Sequence, residues 1–275
     1  MINLRDKISI TGLTDTGMVR DKNEDAIGFD STLGLIVLAD GMGGHRGGDI
    51  ASSIAVDTII EILQQKLPNV DPNRFDDATG YTMESICVQD AIIVANDLVY
   101  KTAQATPEHQ GMGTTVVVLQ FYNNIFSIAH IGDSRCYRLR NNELELLTKD
   151  HSLLQELVDR GFCTPEEAKK SMNKNLVTRA LGIDPVVMPD MHEDIALKND
   201  IYLICSDGLT DLVEDPDIYY TMNEFSDNLE EAAKQLITKA NQNGGKDNIS
   251  VMLCRIDDDF SNGQRWFKKL ANWFD

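Results

Sequence analysis

The stretch TTVVVLQFYNNIFSIAHIGDSRCYRLRNNELELLTKD, residues 114–150, decides the fold class. It divides into the runs TTVVVLQFYNN, NIFSIAHIGD, SRCYRLRNN and ELELLTKD, rich in the β-branched and aromatic residues that suit strands. Asn-Asn or Gly-Asp separates them, and such pairs make tight hairpin turns. The pattern predicts four strands in an antiparallel meander. Toward the N-terminus lie three more strand-like runs, KISITGL, DAIGF and LGLIVLA. Between these and the meander, residues 49–66 place Ile50, Ile54, Ile59, Ile62 and Leu63 at helical spacing. Residues 68–80 are polar and turn-rich and read as a loop, and a second long helix is predicted over about 82–105. Toward the C-terminus the order is a helix over 151–160, a polar stretch at 161–175, strands in PVVMPDMHEDIAL and DIYLICSD, a helix over about 229–242, and the strand NISVMLCRI. Antiparallel strands with a few long helices make this an α+β chain whose sheets are covered by helices.

The bulk composition narrows the function. The chain has 275 residues, 42% hydrophobic and 25% charged, which is globular and long enough for a sizeable core. The 44 acids outnumber the 25 bases, for a net charge of −19, which argues against nucleic acid or an anionic membrane as the main partner and suits cation binding. No apolar run reaches the roughly 20 residues of a membrane span, and MINLRDKISI lacks the features of a signal peptide. The five cysteines are widely spaced and read as small core residues in a reducing compartment, so a cytoplasmic location is expected.

Four acids share one setting. Asp40 ends LGLIVLAD, Asp133 ends FSIAHIGD, Asp207 ends IYLICSD, and Asp247 precedes NISVML; each sits at a strand end with a glycine nearby. Taken singly, each could be a turn residue, and Asp133 above all could turn one meander strand into the next. Taken together, they point to one rim where carboxylates meet. Clustered carboxylates repel unless a cation neutralises them, and an all-oxygen set suits Mg²⁺ or Mn²⁺ rather than zinc. Paired hard cations are a recurring device for phosphoryl transfer to water. Arg20, in TGMVRDKNEDA, has the guanidinium fork that matches phosphate, although this stretch alone reads as an exposed loop. A dinucleotide site is disfavoured: Gly41, Gly43 and Gly47 miss the G-x-G-x-x-G spacing by one, and Asp40 would face a pyrophosphate.

The blocks GMVRDKNEDA, LADGMGGHRGGDIAS, GMGTTVVVL, AHIGDSRCYRL, LTKDHSLLQELVDRG, NLVTRALG, LICSDGLTDLV and GGKDNISVM occur in this order across residues 8–256. In them the chain closely resembles the metal-dependent Ser/Thr protein phosphatases of type 2C, the PPM family, and its bacterial members most. The resemblance implies a four-layer α-β-β-α sandwich, two antiparallel β-sheets flanked by helix pairs. It implies a binuclear Mn²⁺ or Mg²⁺ centre, with Asp40 bridging both ions, the Gly41 carbonyl on the second, and Asp207 and Asp247 on the first. Asp133 would join Asp207 at a weaker third ion. Arg20 would hold the substrate phosphate, and Glu24 and Asp25 would bind or orient metal waters. The implied reaction is direct in-line hydrolysis of phosphoserine and phosphothreonine in proteins by a bridging hydroxide, opposing a bacterial Ser/Thr kinase. A phosphoprotein-binding module without turnover would be marked by loss of a core acid, and none is lost.

The chain departs from the family pattern twice. Met42 stands where animal members carry a leaving-group histidine, as it does in bacterial members; His45 is the nearest alternative and reads first as a loop residue shaping the glycine turn. Ser171-Met172 stands where bacterial members often have His-Pro, within the segment 161–175 that matches the family's substrate flap. The expected organisation is a phosphatase domain over 1–258 and an amphipathic helical tail over 259–275. In that tail Trp266, Phe267, Leu270, Trp273 and Phe274 fall on one helix face, suited to docking on the domain itself or on a partner, with a membrane surface ranked last.

Overall fold

The computed structural model describes residues 3–43, 47–71, 74–164, 167 and 176–261. The strands in chain order are β1 (Ile8–Asp15), β2 (Asp25–Asp30), β3 (Leu35–Met42), β4 (Gly113–Thr114), β5 (Val116–Tyr122), β6 (Ile125–Ile131), β7 (Arg135–Arg140), β8 (Glu143–Leu146), β9 (Asp190–Ile195), β10 (Ile201–Cys205) and β11 (Ile249–Ile256). They form two sheets. The first has the order β1-β11-β10-β7-β8; the second runs β2-β3-β5-β6-β9, with β4 pairing the end of β3. Every pairing is antiparallel. The α-helices among the described residues are α1 (Gly48–Lys66), α2 (Met83–Ala105), α3 (Leu153–Asp159), α4 (Asp207–Thr210), α5 (Asp215–Glu224) and α6 (Leu229–Gln242). The long pair α1 and α2 covers the second sheet, and α5 and α6 cover the first, which is the four-layer sandwich expected.

Period-2 side-chain alternation builds three apolar layers from these strands. In β3, Leu35, Val37 and Ala39 face α1 and α2, while Ile36 and Leu38 face the other sheet. In β10, Ile201, Leu203 and Cys205 face the α5–α6 layer, and Tyr202 and Ile204 point between the sheets. A strand buried on both faces must be apolar throughout, which is why LIVLA and IYLIC show no polar alternation. Thr82 starts α2 by accepting a hydrogen bond from the Ser85 N–H, a cap that fixes the predicted boundary.

The meander is corrected in one respect. Asn123-Asn124 and Asn141-Asn142 do make two-residue hairpins, with φ between 49° and 63° at all four residues, joining β5 to β6 and β7 to β8. Gly132-Asp133-Ser134 does not make a hairpin. It carries the chain from β6 in the second sheet to β7 in the first. Local sequence distinguishes a turn from a strand, but the choice between pairing with the previous strand and crossing the sandwich is made by long-range packing.

The register puts all the predicted site loops at one end. Asp15 of β1 lies opposite Ile249, Asp25 opposite Asp40, and Cys205 opposite both Arg135 and Val251. The Asn-Asn hairpins lie at the far end. There the segments flanking β1 and β11 meet: the Lys7 carbonyl accepts from the N–H groups of Asp257 (2.9 Å) and Asp258 (3.2 Å), and Leu4 and Phe260 are buried in the layer between the sheets.

Candidate metal centre

Asp40 sits at the tip of β3, where the backbone is pinned from two sides. Its N–H donates to Thr115 Oγ1 (3.0 Å), and its carbonyl accepts from the Thr115 N–H (2.8 Å) and Thr114 Oγ1 (2.9 Å). Thr115 Oγ1 in turn lies 2.7 Å from Ser134 Oγ, so one threonine ties the Asp40 tip to the turn that carries Asp133. The following Gly41 is required by proximity: a Cβ there would collide with the carbonyl oxygens of Gly48 and Glu24. The glycine thus lets helix α1 start directly against the strand tip.

Asp25 opens β2 directly across from Asp40, and the two carboxyl groups meet. Asp25 Oδ2 accepts from Ser206 Oγ (3.0 Å) and Ser250 Oγ (2.6 Å), residues of the opposite sheet. Its Oδ1 is buried with no hydrogen-bond partner. Asp207 is the first residue of α4, and Asp133 is buried in the crossing turn. The acids bear on one another's ionisation. Burial, then the carboxylates of Asp25, Asp207, Asp133 and Asp247, push Asp40 well above the usual carboxylate range. Burial, then Asp133, Asp211 and Asp247, do the same to Asp207. Asp25 and Asp133 are each pushed up to about 6, in both cases chiefly by burial.

Such a set needs positive charge. Its donors are all oxygens, and Asp25 Oδ1 is a buried acceptor with nothing to accept from, so the residues fit hard divalent cations. Arg20 supplies positive charge at the rim: its Nη2 lies 2.7 Å from Asp247 Oδ2, and it is half-exposed. This contact, more than any other, holds the guanidinium above its ordinary value. Glu24 lies between the two groups, its carboxyl against Gly48 at the start of α1 and raised by burial and by Asp49. His45, the flap residues 165–166 and 168–175 including Ser171-Met172, and the tail residues 262–275 lie outside the described residues.

Three supporting residues were not singled out from the sequence. Asn248 is buried behind Asp247: its Oδ1 accepts the Glu24 N–H (2.8 Å), and its Nδ2 donates to the carbonyls of Thr16 (3.0 Å) and Lys22 (2.9 Å). The Arg20 loop is thereby tied to the start of β11. Arg135 grips Asp150 through Nε (2.9 Å to Oδ1) and Nη2 (2.7 Å to Oδ2), directly behind the Asp133 turn. His151 clamps Gly132 at two points: its N–H donates to the Gly132 carbonyl (2.9 Å), and its Nδ1 accepts the Gly132 N–H (3.1 Å). All three lie in GGKDN, AHIGDSRCYRL and LTKDHS, yet nothing in their immediate neighbours announces these distant contacts.

His130, His151 and Asp190 also bring ligand-type atoms within 4.8 Å of one another. The hydrogen bonds give this trio a different role. Because His151 Nδ1 accepts from Gly132, the ring proton sits on Nε2, 3.3 Å from Asp190 Oδ2. His130 stacks on it at 4.7 Å and spends its Nε2 on the Lys149 carbonyl (2.9 Å). Burial lowers both imidazoles, His151 to about 4, so they are neutral at pH 7. In that tautomer His151 Nε2 has no lone pair for an ion, and the trio works as a clamp on the crossing turn.

The comparisons with known proteins agree with this geometry. The family model described as protein phosphatase 2C matches residues 19–247. The serine/threonine phosphatase stp of Listeria monocytogenes serovar 1/2a is 35% identical over 247 residues, 89% of this chain and 94% of its own length. The protein phosphatase PhpP of Streptococcus pneumoniae serotype 2 is 35% identical over 256 residues, covering 92% and 99%. Among solved structures, the Mycobacterium tuberculosis serine/threonine phosphatase PstP/Ppp aligns with a TM-score of 0.81 at 34% identity, over 92% of this chain and 100% of that one. The catalytic domain of PstP in complex with two manganese ions aligns with a TM-score of 0.75 at 33% identity, over 92% and 99%.

Proposed function

Because the chain belongs to the protein phosphatase 2C family and is a metal-dependent serine/threonine protein phosphatase, we propose a residue-level account of how its rim does the work. The observation that carries it is the burial of Asp25, Asp40, Asp133 and Asp207 at one rim, around a buried carboxylate oxygen without a partner. In this reading Asp40, the Gly41 carbonyl, Asp207 and Asp247 would hold two Mn²⁺ or Mg²⁺ ions, with Asp25 and Glu24 holding or orienting their waters. Asp133 with Asp207 would hold a third. When bound, the ions activate water at neutral pH and neutralise the phosphoryl oxygens.

The rest is done by the chain itself. Arg20, half-exposed and held by a single carboxylate, turns its fork from Asp247 to the phosphate of the substrate. The Ser206 and Ser250 hydroxyls hold the Asp25 carboxylate, and Thr114 and Thr115 pin the backbone of Asp40, so little reorganisation accompanies the reaction. Cys136, Cys205 and Cys254 are not placed to act as nucleophiles: all three are buried, and burial pushes their thiols up, Cys205 to about 12. Met42 donates no proton, and His45 stands as the sequence's alternative donor for the leaving group.

We further read the chain as a domain over 1–258 followed by a tail, acting on phosphoserine and phosphothreonine proteins and reversing a Ser/Thr kinase. A cytoplasmic site fits the free cysteines and the finding that no described helix is long and apolar enough to cross a membrane. The test is hydrolysis of an aryl phosphate and a phosphothreonine peptide with Mn²⁺, abolished by a chelator. Asp207→Asn should lower turnover by more than about 100-fold, beyond what losing a hydrogen-bond partner of a ligand costs. Normal turnover by a well-folded Asp207→Asn protein would remove Asp207 from the centre.

A further inference from the structure

On the outer face of the first sheet, away from the metal rim, a groove of about 320 Å³ opens between α5 and the β7–β8 hairpin. Tyr137, Leu144, Leu146, Tyr219 and Tyr220 line it, with Asn142, Pro216 and Asp215 among them. Tyr220 is 65% exposed and Leu146 is 42% exposed, on the outermost strand of the sheet. Exposed apolar edges of this kind are normally covered. The acid Asp215 lines it, the exposed Glu143 and Glu214 adjoin lining residues in the chain, and neither lysine nor arginine lines it.

We propose that residues 262–275 of this chain occupy this groove, seating the face formed by Trp266, Phe267, Leu270, Trp273 and Phe274. Three observations select this occupant. The first is chemistry: the groove is lined by tyrosine and leucine, and aromatic side chains gain most from burial in such a setting. The second is charge. Arg265, Lys268 and Lys269 stand against the single acid Asp275, in a chain whose net charge is −19 and beside a groove lined by Asp215 and by neither lysine nor arginine. The third is reach. The Phe260 N–H donates to Asn124 Oδ1 (2.8 Å), and the Asn124 carbonyl accepts from Ala196 (2.9 Å). The neighbouring Ile195 carbonyl accepts from Arg140 (2.6 Å), which leads into the Asn141-Asn142 turn, whose Asn142 lines the groove. The five residues from Ser261 to Trp266 span up to about 17 Å when extended. The apolar face beyond them is about 13 Å long as a helix.

The inference rests on reading 259–275 as an amphipathic tail, and one experiment separates the two. Both tryptophans of the chain, Trp266 and Trp273, lie in the tail, so the fluorescence of the whole protein reports the tail alone. The expected emission is that of shielded indoles, unchanged on dilution. Leu146→Asp with Tyr220→Asp should shift it to longer wavelength and raise acrylamide quenching, while phosphatase turnover and circular dichroism stay as in the parent. Single Trp266→Phe and Trp273→Phe variants should show that both indoles respond. Water-exposed emission in the parent would overturn both the groove and the amphipathic tail. Shielded emission that ignores the groove substitutions would overturn the groove and leave the tail reading in place. A shift to longer wavelength on dilution would place the tail on a second copy and overturn docking within one chain.

Discussion

A single amide, Asn248, ties the segment that carries Arg20 to the strand that follows Asp247. It bonds Thr16, Lys22 and Glu24, which lie 232, 226 and 224 residues away in sequence. Asn248→Ala leaves one N–H and two carbonyls without that partner, at about 1–3 kcal/mol for each group that water cannot reach. The expected outcome is a lower unfolding midpoint and a higher KM for a phosphopeptide, with metal affinity measured by calorimetry changed less than in Asp207→Asn. The contrast between Asn248 and the acids shows what a sequence exposes at this scale. Asp40 and Asp207 are legible because each ends an apolar run beside glycine, a local pattern. Asn248 is not, because its three partners come from a different part of the chain, brought close only by the pairing of β1 with β11. The ion pair between Arg20 and Asp247 was equally hidden: both residues were identified, but their mutual contact is a product of folding.

At the scale of elements, the crossing turn between β6 and β7 is the piece on which the third acid depends. Gly132 adopts φ 108°, and from outside the segment His151 holds Gly132 and Thr115 holds Ser134. His151 also anchors the chain at Thr178, since its carbonyl accepts from the Thr178 N–H (2.8 Å), and Arg179 reaches Asp190 (2.8 Å) on the far side of its ring. His151→Ala should raise the Mn²⁺ concentration for half-maximal activity by about tenfold, the lower end of what loss of an outlying partner does to metal affinity. Turnover at saturating Mn²⁺ should fall less, and a Mn²⁺ titration of activity separates the two. The elements themselves were largely readable: α1, α2 and α6 begin and end within a residue or two of the expected bounds. What was not readable was sheet membership. RCYRLR has the same local character whether it continues a meander or opens the other sheet, and the choice falls to Tyr137 and Cys136 packing on opposite faces of the first sheet.

For the molecule as a whole, the rim acids make stability depend on pH in a definite direction. Asp25 and Asp133 rise from 3.8 to about 6 on folding, and Asp40 and Asp207 rise as well. Between those values the folded chain without ions binds more protons than the unfolded chain, so stability falls as pH rises through that window. With a chelator present, the thermal midpoint should therefore drop from about pH 4 to about pH 7; with Mn²⁺ it should climb, because the ions select the deprotonated carboxylates. The net charge of −19 hinted at cations without saying where they sit. Its local meaning emerges only when five of the acids are found at one rim. The opposite end of the sandwich has a mechanical corollary. The first and last strands are antiparallel neighbours, with Ile8 opposite Ile256, so the start of one and the finish of the other lie side by side. A tension applied between them pulls along the ladder's hydrogen bonds rather than across them, and those bonds break one after another. In an optical trap the β1–β11 pair should peel apart at low force, whereas attachment at Ile8 and Ile249, which lie at opposite ends of the paired strands, should load the same bonds together and resist far more.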